Sequence, residues 1–146
     1  MTQVDMVREY MRMIGQETPN KQTMLNNAQR KFRHDLTDEE NVEFRDAETL
    51  DKLFDGIQDK LYVTLGDAVA AGFTAEDVSR GFAEVHRSNM SKLWTWEEVS
   101  KATFEYGVTV NEIASPHDKR FLVKRADGKV IKSPSHSRPN FTGIIK

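Results

Sequence analysis

The chain has 146 residues, 38% of them hydrophobic and 30% charged, enough for one domain with a core of its own. No apolar run approaches the roughly 18 residues of a membrane helix, the N-terminus lacks a basic-then-apolar leader, and the absence of cysteine removes disulfides and thiolate metal sites. The net charge of -2 hides an asymmetry: residues 119–146 hold eight Lys/Arg against one acid, a net +7, so residues 1–118 carry a net -9.

Val4 to Ile14 reads as a first helix, with Val4, Met6 or Val7, Tyr10 or Met11, and Ile14 at helical spacing and Gly15 as its stop. Residues 16–22, with Pro19 and Asn20, form a loop. A second helix is expected from Thr23 through Leu50, along Leu25, Ala28, Phe32, Leu36, Val42 or Glu43, and Ala47. Inside it, Thr37-Asp-Glu-Glu40 also matches a capping box, under which a helix would start at Thr37 and Glu40 would only cap it. The third helix spans Leu53 to Gly72 on the stripe Leu53, Phe54, Ile57, Leu61, Leu65, Ala68 and Val69. Gly66, mid-helix at a cost of about 1 kcal/mol against Ala, points to close packing or a crowded ligand. Thr74-Ala-Glu-Asp77 caps a fourth helix running to about Lys92, with Val78, Phe82, Val85 and Met90 inward. Thr95-Trp-Glu-Glu98 opens a further helix through Val99, Ala102, Phe104 or Tyr106, and Val110. Residues 121–125 and 129–132, joined by Ala126-Asp127-Gly128, read as a short β-hairpin. The end is extended and Pro-rich.

Carboxylates are the feature that calls for a ligand. Glu40 and Glu43 share a helix face with Glu39 beside them, and Asp55 and Asp59 share a face on the next helix. Packed antiparallel, the two segments bring four or five carboxylates together, where they repel and raise one another's pKa. A hard divalent cation resolves that repulsion, and an all-oxygen set suits Mg or Mn. A solvated acidic face is the plain alternative, but these acids adjoin Val42, Phe44, Ile57 and Leu61. Asn89 and Lys92, three apart, can reach one phosphate with an amide and an ammonium, although Lys also suits an ordinary helix end. His34-Asp35 lacks the upstream His of an HD-type phosphohydrolase. There is no Glu-x-x-His for a di-iron bundle, nor a nucleophile elbow, Walker loop or dinucleotide glycine pattern.

Glu39-Glu-x-x-Glu43, followed by Asp55-x-x-x-Asp59-x-Leu-Tyr-Val-x-x-Gly66, resembles the MazG-like all-α nucleoside triphosphate pyrophosphohydrolases. The likeness is to their small bacterial and phage branch related to phosphoribosyl-ATP pyrophosphohydrolase. Val7-Arg-Glu-Tyr10 with Gly15-Gln16, the run Glu84 to Lys92, and Asp127-Gly-Lys-Val-x-Lys132-x-Pro134 extend it in order. It implies an all-α fold with a four-helix-bundle-type core, here with an additional helix and the C-terminal hairpin. The core would span 1–118 and the basic hairpin and tail 119–146, as one domain.

The resemblance also implies hydrolysis of a (deoxy)nucleoside triphosphate to the monophosphate and diphosphate, with two or three Mg or Mn ions. Glu40, Glu43 and Asp59 would be ligands, Asp55 a further one, and Glu39 a ligand or the group orienting water. Asn89, Lys92, Arg125, Lys129 and Lys132 would hold phosphates, the last three from the tail of the same or a neighbouring subunit. Met13 and Gln16 would meet the base, with dGTP as one candidate. A homodimer or dimer of dimers in the cytoplasm of a bacterium or phage-infected host is the implied setting, without membrane or nucleic-acid partners. Two positions depart from the family: Gly56 stands where MazG members have Glu, and Lys60 where an apolar residue is usual. The competing class is a non-enzymatic module binding nucleic acid through its +7 tail, with salt-sensitive affinity and no metal dependence. The acidic first 118 residues weigh against it.

Overall fold

Side-chain caps set the helix starts. Thr2 and Asp5 bond reciprocally at the head of α1 (Gln3–Met13), and Asn26 and Gln29 do the same at α2 (Asn27–Arg45). Thr49 accepts from the Lys52 amide at α3 (Leu50–Ala70), and Thr74 pairs with Asp77 at α4 (Ala75–Met90). Thr95 and Glu98 open α5 (Trp96–Lys101). Gly15 and Gly72, at φ +75 and +80, stop α1 and α3, with Gln16 N–Met11 O at 2.8 Å and Phe73 N–Ala68 O at 2.9 Å closing the last turns.

The computed structural model describes residues 1–113 and 119–146. It is an all-α core with a small C-terminal sheet, as the sequence predicts. Among the described residues no helix is long and apolar enough to cross a membrane. The helix expected over 23–50 is shorter at both ends, because the Asn26–Gln29 box delays its start and Asp46 ends it. Thr37 Oγ1 donates to the Arg33 carbonyl at 3.1 Å within α2, so Glu40 lies mid-helix and caps nothing. Residues 1–79 with 143–146 form one unit and residues 80–142 another. The domain boundary expected after residue 118 abuts the stretch outside the described residues.

In the first unit α1 and α2 both pack on α3. Val4, Val7 and Met11 of α1 bury against Val69, with Leu65, Ala70, Ala75 and Val78 around them. Across α2 and α3 the contact is polar at one end. Buried Arg33 donates from Nε to Asp67 Oδ1 and from Nη2 to Val63 O, both at 2.6 Å. Its guanidinium lies over Gly66, where a Cβ would collide with it, so close packing is the reason for that glycine. Toward the other end Gly56 meets Phe44, and a Cβ there would stand 3.1 Å from Phe44 Cα. Arg33 opposite Asp67 and Phe44 opposite Gly56 fix the pair as antiparallel. The α3 stripe divides: Leu65 and Val69 turn inward, whereas Leu50, Phe54, Ile57 and Leu61 stay between 44% and 79% exposed.

The second unit holds a three-stranded antiparallel sheet of β1 (Trp94–Thr95), β2 (Thr109–Ile113) and β3 (Arg120–Lys124), in the order β1-β3-β2. Trp94, Phe121 and Val123 form its core with Val99, Ala102, Phe104, Val108 and Ile131, and Trp94 Nε1 donates to Ile131 O at 2.8 Å. The helix expected through Val110 stops at Lys101, where Ala102 turns extended. The β-branched run Val108-Thr109-Val110 instead enters β2, pairing Val110 with Val123. Of the expected hairpin, the first leg is the central strand and the turn is present. The return leg keeps one bridge, Lys124 to Val130. Phe82 and Met90, expected inward, are exposed. Helical periodicity finds a face but not what covers it.

Glu98 ties this unit together. Burial works against its charge, but hydrogen bonds from the Ser135 and Ser133 hydroxyls and from the Thr95 and Ser135 backbone hold its carboxyl at about 2. A depressed carboxylate contributes stability above its unfolded value that is lost as pH falls toward the folded one. Tryptophan fluorescence should therefore report loosening of the second unit between about pH 4.5 and 2, and Glu98→Gln should flatten that dependence.

Candidate active site

On α2, Glu40 and Glu43 lie three apart and face the α3 turn that carries Asp59. The antiparallel register makes them meet. One carboxylate oxygen from each of the three lies within 4.8 Å of the others. Glu40 is half-buried and its Oε2 is fully shielded with no hydrogen-bond partner. Glu43 is exposed and Asp59 half-buried. Burial first, then the charges of Asp59, Glu43, Glu39 and Asp55, push the Glu40 carboxyl above its ordinary value. The same four carboxylates singled out by spacing thus act on Glu40. Glu39 and Asp55 are exposed at the edge of the cluster.

Among the described residues no Lys or Arg is ion-paired with any of the five. The nearest cation on α3, Lys60, places Nζ over the Phe44 ring at 4.3 Å. A shielded carboxylate oxygen without a donor is costly, and oxygens 4.8 Å apart or less can share one hard cation, whose ligand shell spans roughly 4–5 Å. The donor set is oxygen only, and so fits Mg or Mn. Glu40, Glu43 and Asp59 would hold it, with Asp55 alongside. Gly56 is no gap in the set, because a side chain there would press on the α2 backbone.

The remaining predicted residues fall as follows. Met13 is exposed at the end of α1 and Gln16 is half-buried beyond it, both in the first unit. Asn89, Lys92, Arg125, Lys129 and Lys132 belong to the second. Lys92 Nζ donates to Asn89 Oδ1 at 2.6 Å, so those two converge as their spacing predicts. Arg125 is paired with Asp127 at 2.9 Å in the turn after β3. Spacing missed Arg33, the buried cation that locks α2 on α3. No local pattern announced it, because its neighbours on the same helix face include Gln29, Arg30 and Thr37.

The sequence model of the family described as phosphoribosyl-ATP pyrophosphohydrolase matches residues 7–89, more than half of the chain. The match takes in all five carboxylates and ends at Asn89, before Lys92 and the basic tail. An uncharacterized protein, L479 of Acanthamoeba polyphaga mimivirus, is 33% identical over 84 residues, covering 51% of this chain and 32% of that protein. The chain therefore spans about a third of the length of that curated relative.

Proposed function

The chain belongs to the phosphoribosyl-ATP pyrophosphohydrolase family, and from that premise we propose a metal-dependent nucleoside triphosphate diphosphohydrolase. It would add water across the α–β phosphoanhydride of a (d)NTP to give the (d)NMP and diphosphate. The observation that carries the reading is the shielded Glu40 Oε2, which has no hydrogen-bond partner among the described residues and lies in a set of carboxylates within 4.8 Å. Mg or Mn bound there would neutralise phosphate charge and lower the pKa of a bound water. Glu40, Glu43 and Asp59 fix the position of that charge from two helices, as preorganisation requires. Glu39, exposed beside the cluster, is proposed as a further ligand or as the group that orients the attacking water.

Finer points of the reading rest on the family pattern. Met13 and Gln16 are proposed to meet the base, and dGTP is the first substrate to try. The phosphate-binding role of Asn89, Lys92, Arg125, Lys129 and Lys132 is a separate proposal, made on their chemistry within the second unit. Two or three ions per site and a homodimer or dimer of dimers complete it. The exposed seam Leu50, Phe54, Ile57 and Leu61, at helical spacing on α3, is the apolar surface that supports self-association.

The test is turnover of a panel of ribo- and deoxynucleoside triphosphates with Mg or Mn, resolved by chromatography. Monophosphate plus diphosphate in equal amounts, lost with EDTA, is the expected result. No turnover of any nucleotide, or orthophosphate as the product, would overturn the reading.

A further inference from the structure

The segment after the sheet returns along the C-terminal half of α4. Ser133 N donates to Lys92 O at 3.1 Å, Ser137 N to Ser91 Oγ at 3.2 Å, and Asn140 N to Glu84 Oε1 at 2.7 Å. Arg87, paired with Glu84, also donates from Nη1 to Ser137 Oγ at 2.6 Å and from Nη2 to Arg138 O at 3.1 Å. These bonds gather four basic residues in one neighbourhood within the second unit. Lys92 lies just past the helix end, Lys132 precedes Ser133, His136 lies between, and Arg138 follows Ser137.

His136 Nδ1 is 2.9 Å from Ser91 Oγ. The Ser91 hydroxyl lies within hydrogen-bond reach of Ser88 O at 2.8 Å and of Ser137 O at 3.3 Å, and its oxygen accepts from Ser137 N. Nδ1 is thus engaged within the fold. Burial, then the charges of Lys132, Lys92 and Arg138, hold the ring below its ordinary pKa, against a hydrogen bond to the Ser88 backbone. Among the described residues no carboxylate pairs with Lys92, Lys132 or Arg138. The nearby acids are engaged elsewhere, Glu84 with Arg87 and Asn140, and Glu98 with Thr95, Ser133 and Ser135. Three cations and an imidazole thus converge without a counter-ion, which is the electrostatic signature of an anion site.

We propose that Lys92, Lys132, His136 and Arg138 form an oxyanion site of the second unit that binds diphosphate. The choice of a phosphate anion rests on the function proposed above, but His136, Arg138 and Ser91 belong to none of the contacts assigned there. Bound anion offsets the three cations, so His136 takes up a proton and donates a charge-assisted hydrogen bond to the anion.

The full-length chain in EDTA at fixed ionic strength is titrated with inorganic diphosphate, read by calorimetry and by the His136 ring resonances. Saturable binding is expected, with the His136 titration midpoint moving up. Lys132→Gln and Arg138→Gln, at exposed side chains with no hydrogen bond or ion pair among the described residues, should each weaken binding about tenfold. No saturable binding without metal, wild-type affinity in both variants, or the same response to added chloride would overturn the site. Nucleotide turnover on the same preparation separates the two proposals. Turnover without metal-free diphosphate binding removes this site alone. Diphosphate binding without turnover supports it and removes the function proposed above.

Discussion

Glu43→Gln should cost turnover by more than the roughly 10- to 100-fold that removing a metal site's outer-shell partner costs, while the protein stays folded. Glu43 is exposed on α2 and makes no hydrogen bond within the fold, and Gln matches Glu in helix propensity, so the helix is indifferent to the change. What changes is the cluster. One of three carboxylate oxygens within 4.8 Å becomes a neutral amide oxygen, and the charge acting on Glu40 falls. In EDTA the variant should therefore unfold at the same temperature as wild type or slightly higher, because like-charge repulsion is relieved. Adding Mn should raise the wild-type midpoint by mass action and leave the variant nearly unmoved. Circular dichroism with and without Mn, beside turnover, separates the outcomes. Retained turnover would take Glu43 out of the site, and an unfolded variant would give it a structural task that the fold does not show.

The cluster was legible because each half of it is local. Residues three and four apart on a helix share a face whatever the rest of the chain does, so Glu40 with Glu43 and Asp55 with Asp59 follow from spacing. Their meeting needed only an antiparallel helix pair. The long-range facts were not legible. Gly56 reads as a departure from the family until Phe44 is seen against it, so close that a side chain there would press on the α2 backbone. The start of α2 was written in Asn26 and Gln29, a capping box in its Asn/Gln form. The end of α5 was written in the β-branched Val108-Thr109-Val110, which pairs into the sheet rather than extending a helix. Which apolar stripes are covered was written nowhere: Phe82 and Leu65 obey the same period, and only Leu65 finds a core. The neighbourhood of His136 depends on a tail folding back some 45 residues later onto α4, which no local pattern announces.

The register that brings the carboxylates together is held at its far end by Arg33, and a two-residue cycle tests that. Arg33→Ala removes a buried guanidinium bonded to Asp67 and to the Val63 carbonyl. Breaking a fully buried pair from one side costs about 3–5 kcal/mol. Asp67 keeps 41% of its side-chain exposure, so water recovers part of that, and about 2–3 kcal/mol is expected. For a domain of this size that lowers the unfolding midpoint by roughly 5–10 °C. Gly66→Ala alone should also destabilise, because its methyl occupies the space where the guanidinium lies. In the Arg33→Ala background the same methyl meets an emptied site and keeps only its helix-propensity advantage, about 1 kcal/mol over glycine. The effect of Gly66→Ala should therefore reverse sign between the two backgrounds, a coupling that independent sites do not show. Additive losses would mean that Gly66 answers to something other than Arg33. If the reversal appears and Mn affinity also drops in Arg33→Ala, the clamp sets the approach of Glu40 and Glu43 to Asp59 as well as the stability of the helix pair.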